Sequence, residues 1–150
     1  MIGVIQRVQK AQVEINGSIH SNIQEGLLVL LGITHADEQA DGDWLATKIC
    51  GLRIFSDENG KMNKSLADIN GELLIVSQFT LLASTQKGNR PSFIDAARPE
   101  QAIPLYEQFI VTCQRNITKN IATGVFGADM LVTLANDGPV TIIIDSKNRQ

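Results

Sequence analysis

Gly26-Leu27-Leu28-Val29-Leu30-Leu31-Gly32-Ile33 is the stretch that decides the fold. A short, unbroken apolar run bounded by glycines fits a β-strand covered on both faces, and it is far below the roughly 20 residues a membrane-crossing helix needs. Upstream, residues 2–8 and 11–15 read as strands, and Asn16-Gly17 is the dipeptide of tight hairpin turns because both residues tolerate positive φ. A β-ribbon therefore opens the chain. Downstream, residues 37–52 place Leu45, Ile49 and Leu52 at i, i+4 and i+7 with acids crowding the first turn, the pattern of an amphipathic helix. A strand over 52–55, a turn at 57–60, a polar loop and a second buried strand over 73–82 follow. Residues 99–116 form a second helix with Ile103, Tyr106, Phe109, Ile110 and Cys113 on one face, Pro104 being tolerable near its start. Residues 130–134, a turn on Asn136-Asp137-Gly138-Pro139 and a strand over 140–144 close the chain. The class is α+β, with two main helices packed on a mixed or antiparallel sheet that tends towards a barrel.

With 150 residues, 43% of them hydrophobic, the chain can build one core and not two. We expect one domain over residues 1–150, with 146–150 a flexible tail that carries no motif. The N-terminus alternates instead of forming a signal sequence, so a soluble, cytoplasmic protein with no membrane partner is expected. Cys50 and Cys113 lie in helix-like segments with no ligand spacing and read as core thiols of a reducing compartment. A net charge of −3 argues against broad phosphate-driven binding to nucleic acid. If RNA is bound, the contact must be local, through Lys87, Arg90 and Arg98 or through Lys61 and Lys64. The alternative is that these are ordinary solvated charges.

No phosphate loop, His-Glu-x-x-His, Gly-x-Ser-x-Gly elbow or dinucleotide fingerprint is present, and no metal-ligand set or cofactor motif is visible. His20 and His35 read as exposed loop residues. An enzyme built from such a sequence relies on a substrate group, on backbone dipoles or on an unusual nucleophile such as a threonine.

Two segments carry chemistry. At Ser77-Gln78-Phe79-Thr80 a buried apolar strand abruptly gains hydrogen-bonding side chains, which cost about 1–3 kcal/mol each if buried and unpaired. A functional cluster and a strand end whose hydroxyls cap local backbone both account for it. At Asn136-Asp137-Gly138-Pro139 a cis Gly-Pro bond would align two carbonyls as a pair of acceptors suited to an ammonium group, whereas a plain trans turn would only reverse the chain.

These segments, with Met1-Ile-x-Val-Ile-Gln-Arg-Val, the run from Gly26, Arg53-Ile-Phe-Ser-Asp-x-x-Gly-Lys-Met-Asn, Arg90-Pro-Ser-Phe, Phe126-Gly-Ala-Asp-Met and the closing Pro139-Val-Thr, run in the order of the D-aminoacyl-tRNA deacylase family, which the chain resembles almost end to end. The resemblance implies a homodimer acting on the aminoacylated 3′ end of tRNA as a chiral proofreading hydrolase without a cofactor. Ser77, Gln78, Phe79 and Thr80 of one subunit would face Gly138 and Pro139 of the other. Arg7 is expected to brace the Gly-Pro segment, and Phe126 and Met130 to line the pocket, although an edge-strand cation and core packing are the plainer roles for these three. Backbone N–H groups near Phe79 and Thr80 would hold the oxyanion while the vicinal ribose hydroxyl assists water. Thr80 as covalent nucleophile is the rival. L-aminoacyl esters would be rejected sterically, and glycyl esters, including glycine mischarged on tRNA(Ala), accepted. A non-catalytic dimer that binds aminoacyl ends, and an esterase using Thr80, are the alternative functions.

Overall fold

The computed structural model describes residues 1–149. Strand β1 (Ile2–Ile15) turns through Asn16 and Gly17, at φ 52° and 77°, into β2 (Ser18–Ile23), and β3 (Gly26–Gly32) returns antiparallel to β1 with Ile2 opposite Gly32 and Val8 opposite Gly26. Helix α1 (Gln39–Cys50), the small β4 (Phe55–Ser56) and β5 (Met62–Lys64) pair, and β6 (Glu72–Ser77) follow. Then come α2 (Pro99–Asn116), β7 (Ala122–Thr123) and β8 (Leu131–Asp145). β6 lies parallel to β3, β7 parallel to β6, and β8 antiparallel to β1. The sheet is mixed and curls: Ser21 Oγ on β2 donates to the Thr123 carbonyl on β7 at 2.7 Å, tying opposite ends of the strand order together. The architecture is the expected α+β one, two helices on a barrel-like mixed sheet.

The curl explains the unbroken apolar run. Leu28 points inside it with Val8, Val13, Ile23, Leu74 and Val76, while Leu27, Val29 and Leu31 point out onto the helices with Leu45, Ile49, Leu73, Ile75 and Phe109. Both faces of β3 and β6 are therefore covered, which alternating strands of a one-sided sheet would not need. α2 runs over the expected residues, and Tyr106 fixes it to the sheet by donating to the Ile75 carbonyl at 2.9 Å; burial pushes its phenol up to about 12. No described helix is long and apolar enough to cross a membrane.

Four local expectations are corrected. Residues 2–8 and 11–15 belong to one strand, because β8 pairs along nearly its whole length and bridges the polar middle. The strand expected over 52–55 is reduced to β4. The strand expected over 73–82 stops at Ser77, since β3 ends at Gly32 and gives β6 nothing further to pair with. The expected tail is attached at its first residue: Ser146 is buried, its Oγ accepts from the Met1 ammonium at 2.7 Å and its N–H donates to the Met1 carbonyl, whereas Lys147, Asn148 and Arg149 are exposed. The same ammonium pairs with buried Asp37, and Lys147 pairs with Asp41, whose carboxyl is lowered although burial alone would raise it. An ammonium removed from water needs such partners, and the tail supplies one. Gln150 lies outside the described residues.

Candidate active site

Because β6 runs out of partners at Ser77, the chain breaks away from the sheet there. Gln78 N–H still donates to the Leu31 carbonyl at 2.8 Å, and the backbone then winds into a single 3-10 turn over Phe79–Leu82. The first two amides of that turn, those of Phe79 and Thr80, have no acceptor among the described residues, as expected of N–H groups at the start of a helical turn. A cavity of about 290 Å³ opens at the first of them, with Phe79 in its lining. Ser77, Gln78 and Phe79 form one wall; Phe126, Gly127, Ala128, Asp129 and Met130 form another; Leu31, Ile33, Val76, Ala97, Ala102 and Val132 complete it. The lining is mostly apolar, with Ser77 and Gln78 on one wall and Asp129 on the other as its polar side chains, the usual composition of a small-molecule site.

The walls are held from behind. Phe126 leans on Tyr106 with ring centroids 6.0 Å apart, and Met130 reaches its place over Gly124, where a Cβ would lie only 2.5 Å from its sulfur. Phe79 is 57% exposed and meets Phe93 edge-on, with ring centroids 5.0 Å apart. Thr80 does not line the cavity. Its hydroxyl accepts from Gln78 Nε2 at 2.5 Å, and no basic group among the described residues is in position to take its proton.

Gly138 and Pro139 lie elsewhere. They do not line the cavity of their own chain, and they do not reverse it either: β8 continues in one direction through them. Pairing with β1 passes from Asn136 opposite Val8 to Thr141 opposite Gln6, so residues 137–140 bulge out opposite Arg7 alone. The expected hairpin turn is thus an exposed bulge within one long strand, because β1 offers a partner on both sides of it. The Gly138–Pro139 peptide is cis, and Gly138 has φ 129°. Asn136 Nδ2 donates to the carbonyls of Arg7 and Val140, closing the base of the bulge. Arg7, largely buried, donates from Nε to the Asp137 carbonyl at 3.1 Å, pairs with the Asp137 carboxylate, and anchors through Nη1 to the Ile54 carbonyl.

One chain therefore brings together Ser77, Gln78, Phe79, Phe126 and Met130 around a cavity, and Arg7, Gly138 and Pro139 around an exposed bulge, and keeps the two groups apart. A family model described as D-Tyr-tRNA(Tyr) deacylase matches residues 4–145, which include every residue of both groups. The chain belongs to the D-Tyr-tRNA(Tyr) deacylase family. Among family relatives, the D-aminoacyl-tRNA deacylase of Cytophaga hutchinsonii is 71% identical over 150 residues, all of both chains, and that of Flavobacterium johnsoniae is 57% identical over 147 residues, 98% of each. A solved structure of a c-Myc DNA unwinding element binding protein superposes with a TM-score of 0.91 at 43% identity, covering 97% of this chain and 98% of that one. A second, of a probable eukaryotic D-amino acid tRNA deacylase, has a TM-score of 0.79 at 15% identity and shares the fold.

Several cavity residues of this deacylase-family chain gave no sequence signal. Ala97, Ala102 and Ala128 are small and anonymous, and they matter by leaving space. Among the described residues Asp129 is the one ionisable residue of the lining, and it sits with Ala128 inside the Phe126-Gly-Ala-Asp-Met block, of which the sequence points only to the ends. Phe93 was readable as part of Arg90-Pro-Ser-Phe, but its contact with Phe79 was not.

Proposed function

We propose that the chain hydrolyses D-aminoacyl-tRNA, and glycyl-tRNA including glycine mischarged on tRNA(Ala), in a cavity completed by Gly138 and Pro139 of a second copy. The observation that supports this reading is the separation just described: an open cavity at the end of β6 and an exposed, braced Gly-Pro bulge that is not part of its lining. β8 supports the pairing. It is a long edge strand with Leu131 and Ile143 63% and 70% exposed, an arrangement that a two-fold partner would cover.

In the proposed reaction the ester enters with its carbonyl against the Phe79 and Thr80 amides. Water adds to the carbonyl carbon, the developing oxyanion is held by those N–H groups, and the bond to the ribose oxygen breaks as that oxygen takes a proton. The vicinal ribose hydroxyl assists the water, so no protein base is required. The Gly138 and Pro139 carbonyls of the partner accept from the α-ammonium and crowd the Cα face from which an L side chain would project. A D side chain points away unread, and glycine has none to clash. The work belongs in the cytoplasm, where tRNA is charged.

The test is hydrolysis of D-tyrosyl-tRNA by sub-stoichiometric protein, for the native chain and for Thr80→Ala. Many turnovers per site are expected from the native chain; release limited to one equivalent would instead indicate a binding module. Thr80→Ala is expected to keep activity within about tenfold, because losing a covalent nucleophile costs on the order of 10⁴–10⁶. A loss of that size would move the chemistry to Thr80.

A further inference from the structure

Between the turn that carries Phe79 and the start of α2 the chain makes one excursion from the body of the protein. It leaves at Ala83 and folds back on itself, the Ser84 N–H donating to the Ser92 carbonyl at 2.8 Å and the Ser92 N–H to the Ser84 carbonyl at 2.9 Å. Gly88 near the tip has φ 112°, a conformation glycine adopts without a Cβ penalty. The return leg passes Phe93, which packs on Phe79, and Ala97, which lines the cavity. Both feet of this hairpin therefore stand on residues of the site.

Its tip has no structural work. Residues 85–91 are all exposed, and residues 84–92 contain Lys87 and Arg90 and no acid. Among the described residues neither cation makes an ion pair or a side-chain hydrogen bond. The other candidate loop differs in carrying its own acids: Lys64 is neutralised by Glu58, and Lys61, which makes no ion pair among the described residues, shares its turn with Asp57. In a chain of net charge −3, a projecting tip with two unpaired cations is a local reversal of sign beside the cavity.

We propose that this hairpin grips the phosphodiester backbone of the acceptor end of tRNA, with Lys87 and Arg90 each facing one phosphate. The inference rests on the deacylase reading above and adds where the RNA lies beyond the reacting ester. Guanidinium and ammonium groups are the side chains that bind phosphate, the first through paired N–H donors and the second as a point charge. The three residues from Ser84 to Lys87, the last two of them in a turn, span at most roughly 10 Å at about 3.3 Å each, and stacked nucleotides advance about 3.4 Å each. The contacts then fall a few nucleotides inward from the ester, which leaves the cavity free for the terminal nucleoside and its amino acid. This is how an acidic protein can hold RNA without a basic stripe: the charge is confined to the one element that projects next to the site.

The test compares the native chain with Lys87→Ala/Arg90→Ala on two substrates, D-tyrosyl-tRNA and the D-tyrosyl ester of adenosine, which contains the reacting bond and no phosphate. On the tRNA the variant should show a lower kcat/KM, raised KM carrying the loss. Its dependence on salt should be shallower by about 1.5 in log kcat/KM per decade, so that between about 50 and 200 mM the native chain loses roughly eightfold more. On the adenosine ester the two proteins should be equal, which also shows the variant folded with its pocket intact. Equal kcat/KM and equal salt slopes on tRNA overturn the proposal, as does an equal loss on both substrates, which would mean that the hairpin acts on the pocket through Phe93 and Phe79. A native chain inactive on both substrates overturns the deacylase reading and this inference with it, whereas an active native chain matched by the variant overturns this inference alone.

Discussion

Gly138→Ala is expected to lower turnover of D-tyrosyl-tRNA by about 100-fold or more while the protein stays folded. Gly138 has φ 129°, a region L residues rarely adopt, and an added Cβ would lie 2.8 Å from Val140 Cγ2 and 2.9 Å from Arg7 Nη2. The guanidinium that would have to move is the one that donates to the Asp137 carbonyl and the Ile54 carbonyl, so relief of the clash loosens the clasp on the bulge. The position is exposed, and the strain of about 1–3 kcal/mol falls on the bulge and not on the core. A displacement of about 1 Å in a group that positions substrate is enough for a loss on the order of 10²-fold. The same substitution shows where the bulge acts. Ala128→Trp fills the cavity and should be equally inactive alone. Co-expressed, the two variants form hybrids in which the open cavity of one chain meets the intact bulge of the other, and statistical pairing restores roughly a quarter of the native sites. Activity at that level is expected; mixtures that stay at the level of either parent would mean that cavity and bulge serve one chain.

The largest expected effect on stability comes from Gly26→Ala. Gly26 pairs with Glu72 at the start of the parallel β3–β6 ladder, and a Cβ there would fall on the Glu72 carbonyl oxygen and within 2.7 Å of the Glu72 nitrogen and carbonyl carbon. Those atoms are backbone and cannot swing aside, so the two strands must part at the place where the core sheet begins. A cost of about 3 kcal/mol or more is expected, read as a fall in Tm of roughly 10 °C for a domain of this size. Gly17→Ala is the matched control, since its φ of 77° is also positive but nothing lies within 4 Å of its Cβ, and about 1 kcal/mol is expected there. Equal melting temperatures for the two variants would mean that the close approach at Glu72 relaxes without parting the strands.

These contrasts also show which parts of the fold a sequence can express. The apolar runs of β3 and β6, the face of α2 and the Asn16-Gly17 turn are local patterns enforced by burial or by φ, and each is legible in the residues themselves. What escaped were consequences of distant partners. Leu81 and Leu82 resume the apolar pattern of β6 after Ser77-Gln78-Phe79-Thr80, yet the strand stops at Ser77 because β3 has ended. Gly138-Pro139 has the composition of a hairpin turn, yet β8 goes straight on because β1 pairs with it on both sides. Ser146 looks like the start of a loose tail, yet it answers the Met1 ammonium at the other end of the chain. The site divides in the same way. Its polar and aromatic members stood out as interruptions of a pattern, while Ala97, Ala102 and Ala128 contribute only the absence of bulk, which no periodicity records.

Matched D- and L-tyrosyl-tRNA, each incubated with sub-stoichiometric protein, test the proposed chiral hydrolysis most directly. Multiple-turnover loss of the D ester with the L ester decaying at its rate in buffer is the predicted result. Equal loss of both would contradict the Gly138-Pro139 selection, and no loss of either would contradict the catalysis itself.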